Sequence, residues 1–219
     1  RKFQKRVVYG DSVTADTPLL VRSRGGHIDV VRIDELVSTR AWEARDDGKE
    51  VAWPKQLEVW SDGGWTLVRA VVRHLHHGPI FRVGTGGGVV DVTADHSLLR
   101  ADKTACKPTA VRQGQELLHE PLPNMPVIPE SGSGLSGCQI AAKELLQARI
   151  ARGKQPPWML VSSSKLAIAE ACALARKVGG LRASVHARRD GRIACVISRG
   201  NRPAGTVSYT HLTLPTMLP

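Results

Sequence analysis

Apolar and polar residues alternate over short stretches through the first half of the chain. A period of two places successive side chains on opposite faces of a strand. Val7-Val8-Tyr9 reads as a strand end, followed by a turn at Gly10-Asp11. Thr17–Arg22 predicts a strand after a turn, and Arg24-Gly25-Gly26-His27 punctuates it like a hairpin. Ile28–Leu36 predicts a strand running into a short helix or turn. Leu57–Trp60 and Trp65–Val68 flank Ser61-Asp62-Gly63-Gly64, a strand–turn–strand signal. Arg69–Leu75 continues extended. Ile80–Val83 and Val89–Val92 form a second hairpin around a Gly-rich turn at Gly84–Gly88.

The pattern changes at Pro121, Pro123, Pro126 and Pro129, which are followed by Ser131-Gly132-Ser133-Gly134. Such a stretch is extended first and flexible next, so a linker is placed at 130–138. Behind it, Ile140–Ile150 has helical spacing, Trp158–Val161 is a short apolar strand, and Lys165–Val178 is a helix. Ser164 is its N-cap and Gly179-Gly180 its stop. Leu181–Ala187 and Arg192–Ser198 are strands around the turn Asp190-Gly191. The predicted fold is a mainly β front part at 12–129 followed by a small α+β domain at 139–202.

Composition narrows the partners. Of 219 residues, 42% are hydrophobic, enough for a core. No apolar run reaches about 18 residues, which argues against a membrane-spanning helix. The basic start Arg1–Arg6 leads into no apolar signal core, so an intracellular, cytoplasmic location is expected. Cys106, Cys138, Cys172 and Cys195 are far apart in sequence and read as free thiols rather than a zinc set. Residues 138–202 hold 13 Lys/Arg against 3 Asp/Glu, whereas residues 1–137 hold 18 against 17. The net charge of +11 therefore sits almost wholly at the rear. That segregation fits either DNA as a partner of 138–202 or a solvated helix face.

Four stretches carry a resemblance. Val7-Val8-Tyr9-Gly10-Asp11 is similar to the first half of the Tyr-Gly-Asp-Thr-Asp-Ser motif of family B DNA polymerases, and Ser12-Val13-Thr14 interrupts it. Ser12–Leu20 resembles the N-terminal block of inteins, which opens on a Cys or Ser nucleophile. Trp60–Trp65 followed by Arg73-His74 is common in one intein subgroup. Val92-Thr93-Ala94-Asp95-His96-Ser97-Leu98-Leu99 matches the Thr-x-x-His block, and Ala110–Leu118 resembles the segment closing the first half. Each piece alone is weak; the ordered conjunction over roughly residues 1–200 is specific. The chain thus resembles an intein, a self-splicing Hint-type β horseshoe, inserted in a polymerase whose flanking segments (exteins) would be its partners.

The resemblance implies a single-turnover rearrangement. Ser12 Oγ would attack the carbonyl of Asp11 and convert a resonance-stabilised amide into an ester. His96 would protonate the leaving Ser12 nitrogen. Thr93 would hydrogen-bond near the scissile peptide. Asp95 would orient His96 or cap a turn. No metal is expected in the splicing step. Mg²⁺ is implied only for the host polymerase, where Asp11 would be a ligand, or for an intact endonuclease. Taken alone, Ser12 and His96 read as turn residues, and the Trp residues as core and turn packing. His74 and His76 could share a strand face, but no third metal ligand accompanies them.

The stretch Val161–Ala167, Leu174–Gly179 and Ala183–Val185 resembles the second half of a LAGLIDADG-type homing endonuclease domain. It lacks the acidic helix that supplies the metal-binding carboxylate; Glu144, Glu170 and Asp190 are the acids available. A degenerate, at most DNA-binding remnant is implied. The intein pattern also requires a C-terminal half ending in Asn before Thr, Ser or Cys, and neither Asn124 nor Asn201 is so followed. The first acyl shift and cleavage at Asp11–Ser12 are therefore expected of this chain, but not splicing. Val207–Thr216 resembles a translated sequencing adapter, so 207–219 is expected to be foreign. A DNA-binding module on an inactive β scaffold is the rival reading, and a signalling-type autoprocessing domain a third.

Overall fold

A computed structural model of the chain describes residues 12–61, 64–118, 156–177, 181–199 and 213–217, the last five and residues 176 and 177 as backbone alone. The start at 1–11, the linker at 130–138, Cys138 and the expected helix Ile140–Ile150 lie outside the described residues.

The front part is β throughout. Strand β1 (Pro18–Arg22) turns back through Gly26, which adopts φ 77°, into β2 (Ile28–Arg32). That left-handed backbone suits glycine, which has no Cβ to clash. A 3₁₀ turn, Ile33–Glu35, follows as expected. The other edge of β1 pairs with β5 (Glu58–Ser61), which forms a hairpin with β6 (Gly64–Leu67) in the order β2-β1-β5-β6. Trp60 and Trp65 face each other across this hairpin, edge to face at 5.3 Å. Arg22 lies 4.7 Å over the Trp65 ring.

The sequence did not foreshadow β3 (Glu43–Ala44), β4 (Glu50–Ala52), β10 (Leu98–Leu99) or β11 (Ala105–Cys106), each only two or three residues long. They matter because β4 pairs with β7 (Val71–Arg73) and fixes its end. β8 (Ile80–Thr85) and β9 (Gly88–Thr93) pair along their whole length. Their turn is tighter than the expected Gly84–Gly88, because ladder pairing runs on to Thr85↔Gly88. Val83, Val92, Leu98, Cys106 and Val111 form the front core, against which Val13 packs.

The rear part is the small α+β unit the sequence predicts. β12 (Trp158–Ser162), β14 (Ile193–Arg199) and β13 (Leu181–Ala187) form a sheet in that order, with helix α1 (Lys165–Lys177) on one face. Ser164 Oγ accepts the Ala167 amide at 3.2 Å, which confirms the N-cap. Ile168, Ala171 and Ala175 meet Trp158, Val185, Ile193, Cys195 and Ile197 in a second core.

The two parts pack together. Val89 of β9 joins the rear core while Val92 of the same strand is wholly buried in the front one. The Val185 amide donates to the Gly86 carbonyl at 3.1 Å. On the free edge of β8 the backbone of β15 (Thr213–Met217) adds antiparallel. Among the described residues no helix is long and apolar enough to cross a membrane.

Candidate active site

The site grows from strand β9. Its inward residues fill the core, and its end is held by the arm Ser12–Thr14, which lies antiparallel to it through the bridge Val13↔Val92. The Thr14 amide donates to the Asp91 carbonyl at 3.0 Å, and the Thr93 amide donates to the Ser12 carbonyl, also at 3.0 Å. Because Val13 packs into the front core, the position of Ser12 is set by apolar burial as well as by the ladder.

Thr93 is only 2% exposed. Its hydroxyl accepts the Ser12 amide at 3.3 Å and reaches the Ser12 carbonyl at 3.4 Å. Thr93 opens a turn in which the His96 amide donates to its carbonyl at 3.1 Å. The expected Ser12 and Thr93 are therefore in direct contact, and half-buried His96 stands at the end of the same turn. Asp95 lies within that turn: hydrogen bonding from the Thr93 side chain, with Lys107 and His76 nearby, holds its carboxyl below the usual value. Lys107 Nζ also donates to the Asp95 carbonyl at 2.8 Å. Asp11 lies outside the described residues.

Sequence reasoning gave His74 no role, yet its Nε2 lies 2.8 Å from Ser12 Oγ. Its Nδ1 is 3.0 Å from the Leu75 carbonyl oxygen. A carbonyl can only accept, so Nδ1 carries the proton, and in the neutral ring Nε2 is the acceptor facing the Ser12 hydroxyl. His74 follows directly on β7, whose last residue, Arg73, pairs with Glu50 at 2.7 Å and stacks 4.2 Å over Trp42. The ring of His76 sits edge-on to His74 at 6.4 Å.

Three comparisons with known proteins bear on the site. The chain is 40% identical over 123 residues to a DNA polymerase of Acanthamoeba polyphaga mimivirus, a match covering 52% of this chain and 7% of that protein. It is 33% identical over 107 residues to a DNA polymerase of Thermococcus aggregans, covering 46% and 6% respectively. It is 31% identical over 138 residues to a replication factor C small subunit of Methanopyrus kandleri, covering 56% and 21%. No family model matches the chain. The chain resembles one short segment of much longer replication proteins. Partial matches of that kind are what an insertion element within a polymerase gives.

Beneath the arm lies a second cluster. Asp91 is 3% exposed and receives Arg82 in a two-pronged pair at 2.8 and 2.9 Å. Burial alone would raise its carboxyl, but hydrogen bonds and charge from Arg82 and Lys165 outweigh it and hold Asp91 below the ordinary carboxylate value. Asp16 behaves likewise: burial raises it, and Lys165 and Thr14 bring it lower on balance. Neither acid was singled out from the sequence. Among the acids considered for the rear part, Glu170 is buried in α1, while Asp190 sits on an exposed turn with Arg188 and Arg192, which pull its carboxyl down to about 2. Among the described residues no three His, Cys, Asp or Glu side chains group as metal ligands would.

Proposed function

We propose that the chain is the front part of an intein of Hint type, inserted in a family B DNA polymerase, and that Ser12 begins its excision by an N–O acyl shift. The observation that carries this reading is the engagement of every polar group of Ser12. Its amide meets the Thr93 hydroxyl, its carbonyl the Thr93 amide, and its hydroxyl His74 Nε2. A turn-forming serine needs none of this.

His74 takes the hydroxyl proton on Nε2 as Ser12 Oγ bonds to the Asp11 carbonyl carbon. The carbon–nitrogen bond of the Asp11–Ser12 peptide then breaks. The Ser12 nitrogen leaves as an amine and takes a proton, the role the resemblance assigns to His96. Thr93 holds the nitrogen and carbonyl of Ser12 in register while the peptide loses its planarity. Every group in the step belongs to the chain. Residues 12–129 form the splicing part, and 139–202 the remnant of an endonuclease.

A Ser12→Cys variant tests this, because sulfur would give a thioester that a small thiol cleaves. Incubation with dithiothreitol is expected to release a fragment ending at Asp11. A chain that stays intact opposes the reading.

A second reading, DNA binding by the rear part, is favoured by Arg182, Arg188, Arg189, Arg192 and Arg199, all on exposed positions of β13, β14 and their turn. A Ser12→Ala protein that binds duplex DNA with a steep salt dependence would support it, and absence of binding at low salt would remove it.

A further inference from the structure

Helix α1 starts on a residue that local rules disfavour. A helix N-terminus carries partial positive charge and welcomes acids, yet α1 opens on Lys165 and has no acid in its first turn. Lys165 is also 3% exposed, in a class of residue that is almost never buried without partners. Its ammonium has three protons. They meet Thr14 Oγ1 at 2.6 Å, Asp16 Oδ1 at 2.7 Å and Asp91 Oδ2 at 2.9 Å. Two of these partners lie just after Ser12 on the reacting arm, and the third lies two residues before Thr93 on β9. One side chain from the rear part thus ties together the two strands that bring nucleophile and Thr93 into contact. Arg82 adds a parallel tie, holding Asp91 and donating to the Gly191 carbonyl at 2.6 Å.

We propose that Lys165 is a positioning residue for the acyl shift, and that the rear α+β unit is thereby a working part of the site rather than a detachable passenger. This rests on the acyl-shift reading above. Loss of the ammonium unties the side chains of Thr14 and Asp16 from Asp91, leaving the arm held by its backbone ladder and by Val13, and Ser12 Oγ drifts from the Asp11 carbonyl. A misplacement of about 1 Å is enough to slow an oriented reaction about 100-fold.

The test uses the full chain and hydroxylamine, which cleaves an oxygen ester at Ser12. The sequence holds no Asn-Gly bond that hydroxylamine would also attack. Lys165→Met, Thr14→Val and Asp16→Asn are compared with the unmodified chain for cleavage rate, with and without sucrose. Lys165→Met is expected to slow cleavage by about 10- to 100-fold. Sucrose favours the folded state, so it restores the rate if the lysine only stabilises the fold, and leaves it low if the lysine positions the arm. Adding Thr14→Val to Lys165→Met is expected to slow cleavage no further, since both act on one contact. If Lys165→Met does not fold, Thr14→Val and Asp16→Asn, whose side chains lie at the edge of the cluster, are each expected to slow the reaction. Unchanged rates in the folded variants, or full rescue by sucrose, overturn the proposal. An unmodified chain that gives no Ser12-dependent cleavage overturns the acyl-shift reading instead.

Discussion

At the residue scale the account rests on the three groups around Ser12. His74→Gln keeps size and polarity but removes the base, and the acyl shift is expected to slow by about 100- to 10,000-fold in hydroxylamine assays. Circular dichroism should be unchanged, since His74 lies at the surface end of β7. Thr93→Val keeps the volume buried beside the front core but leaves the Ser12 amide without its hydroxyl partner. It is expected to slow the shift and to lower stability by about 1 to 3 kcal/mol in urea unfolding. Thr93, which contacts Ser12, had been singled out through the block it resembles. His74 was named within the Arg73-His74 resemblance, but its contact with Ser12 was not foreseen, because its side chain was read by strand alternation and alternation ends with β7 at Arg73. One position later the chain has left the ladder, and the ring turns to Ser12.

At the element scale, β9 does most to build the site, with Val89 in one core, Val92 in the other, Asp91 on the charge cluster and Thr93 under Ser12. Its hairpin with β8 was readable because Val, Ile and Phe alternate with polar residues around glycines. The pairs β3–β4 and β10–β11 were not readable, since two or three residues carry no period. Helix α1 was readable from its Ser164 cap. Ser164→Ala is expected to cost about 0.5 to 2 kcal/mol of stability. Thermal unfolding would register it as a lower midpoint. Ile193 of β14, with no exposed surface, is the corresponding core test: Ile193→Ala should cost about 2 to 5 kcal/mol. The burial of Lys165 was hidden in the sequence inside a basic excess, although a lysine at a helix start was itself a local signal.

At the scale of the whole molecule, the front and rear parts are joined by Val89 and by the Lys165–Asp91–Asp16–Arg82 cluster. That joint gives a pH signature. Asp91 and Asp16 have carboxyls held below the ordinary value of 3.8 in the folded chain. The unfolded chain therefore takes up protons first as the solution is acidified. Their contribution to stability is fully present above about pH 4 and is lost as pH falls through the lower folded values. Urea unfolding between pH 6 and pH 2 should show this loss, and Asp16→Asn should make it shallower. The mainly β front, the α+β rear and their order along the chain were legible from the local pattern of apolar and polar residues. The packing of one against the other was not, because it depends on a lysine meeting partners 74 to 151 residues away in sequence.

The central claim is that Ser12 Oγ takes the Asp11 acyl group. The most direct measurement treats the full chain with hydroxylamine and identifies the released fragment by mass spectrometry. The account predicts a fragment of residues 1–11 bearing a hydroxamate on the main-chain carboxyl of Asp11, formed by the unmodified chain and not by Ser12→Ala. An absent fragment, or equal release from both proteins, would contradict it.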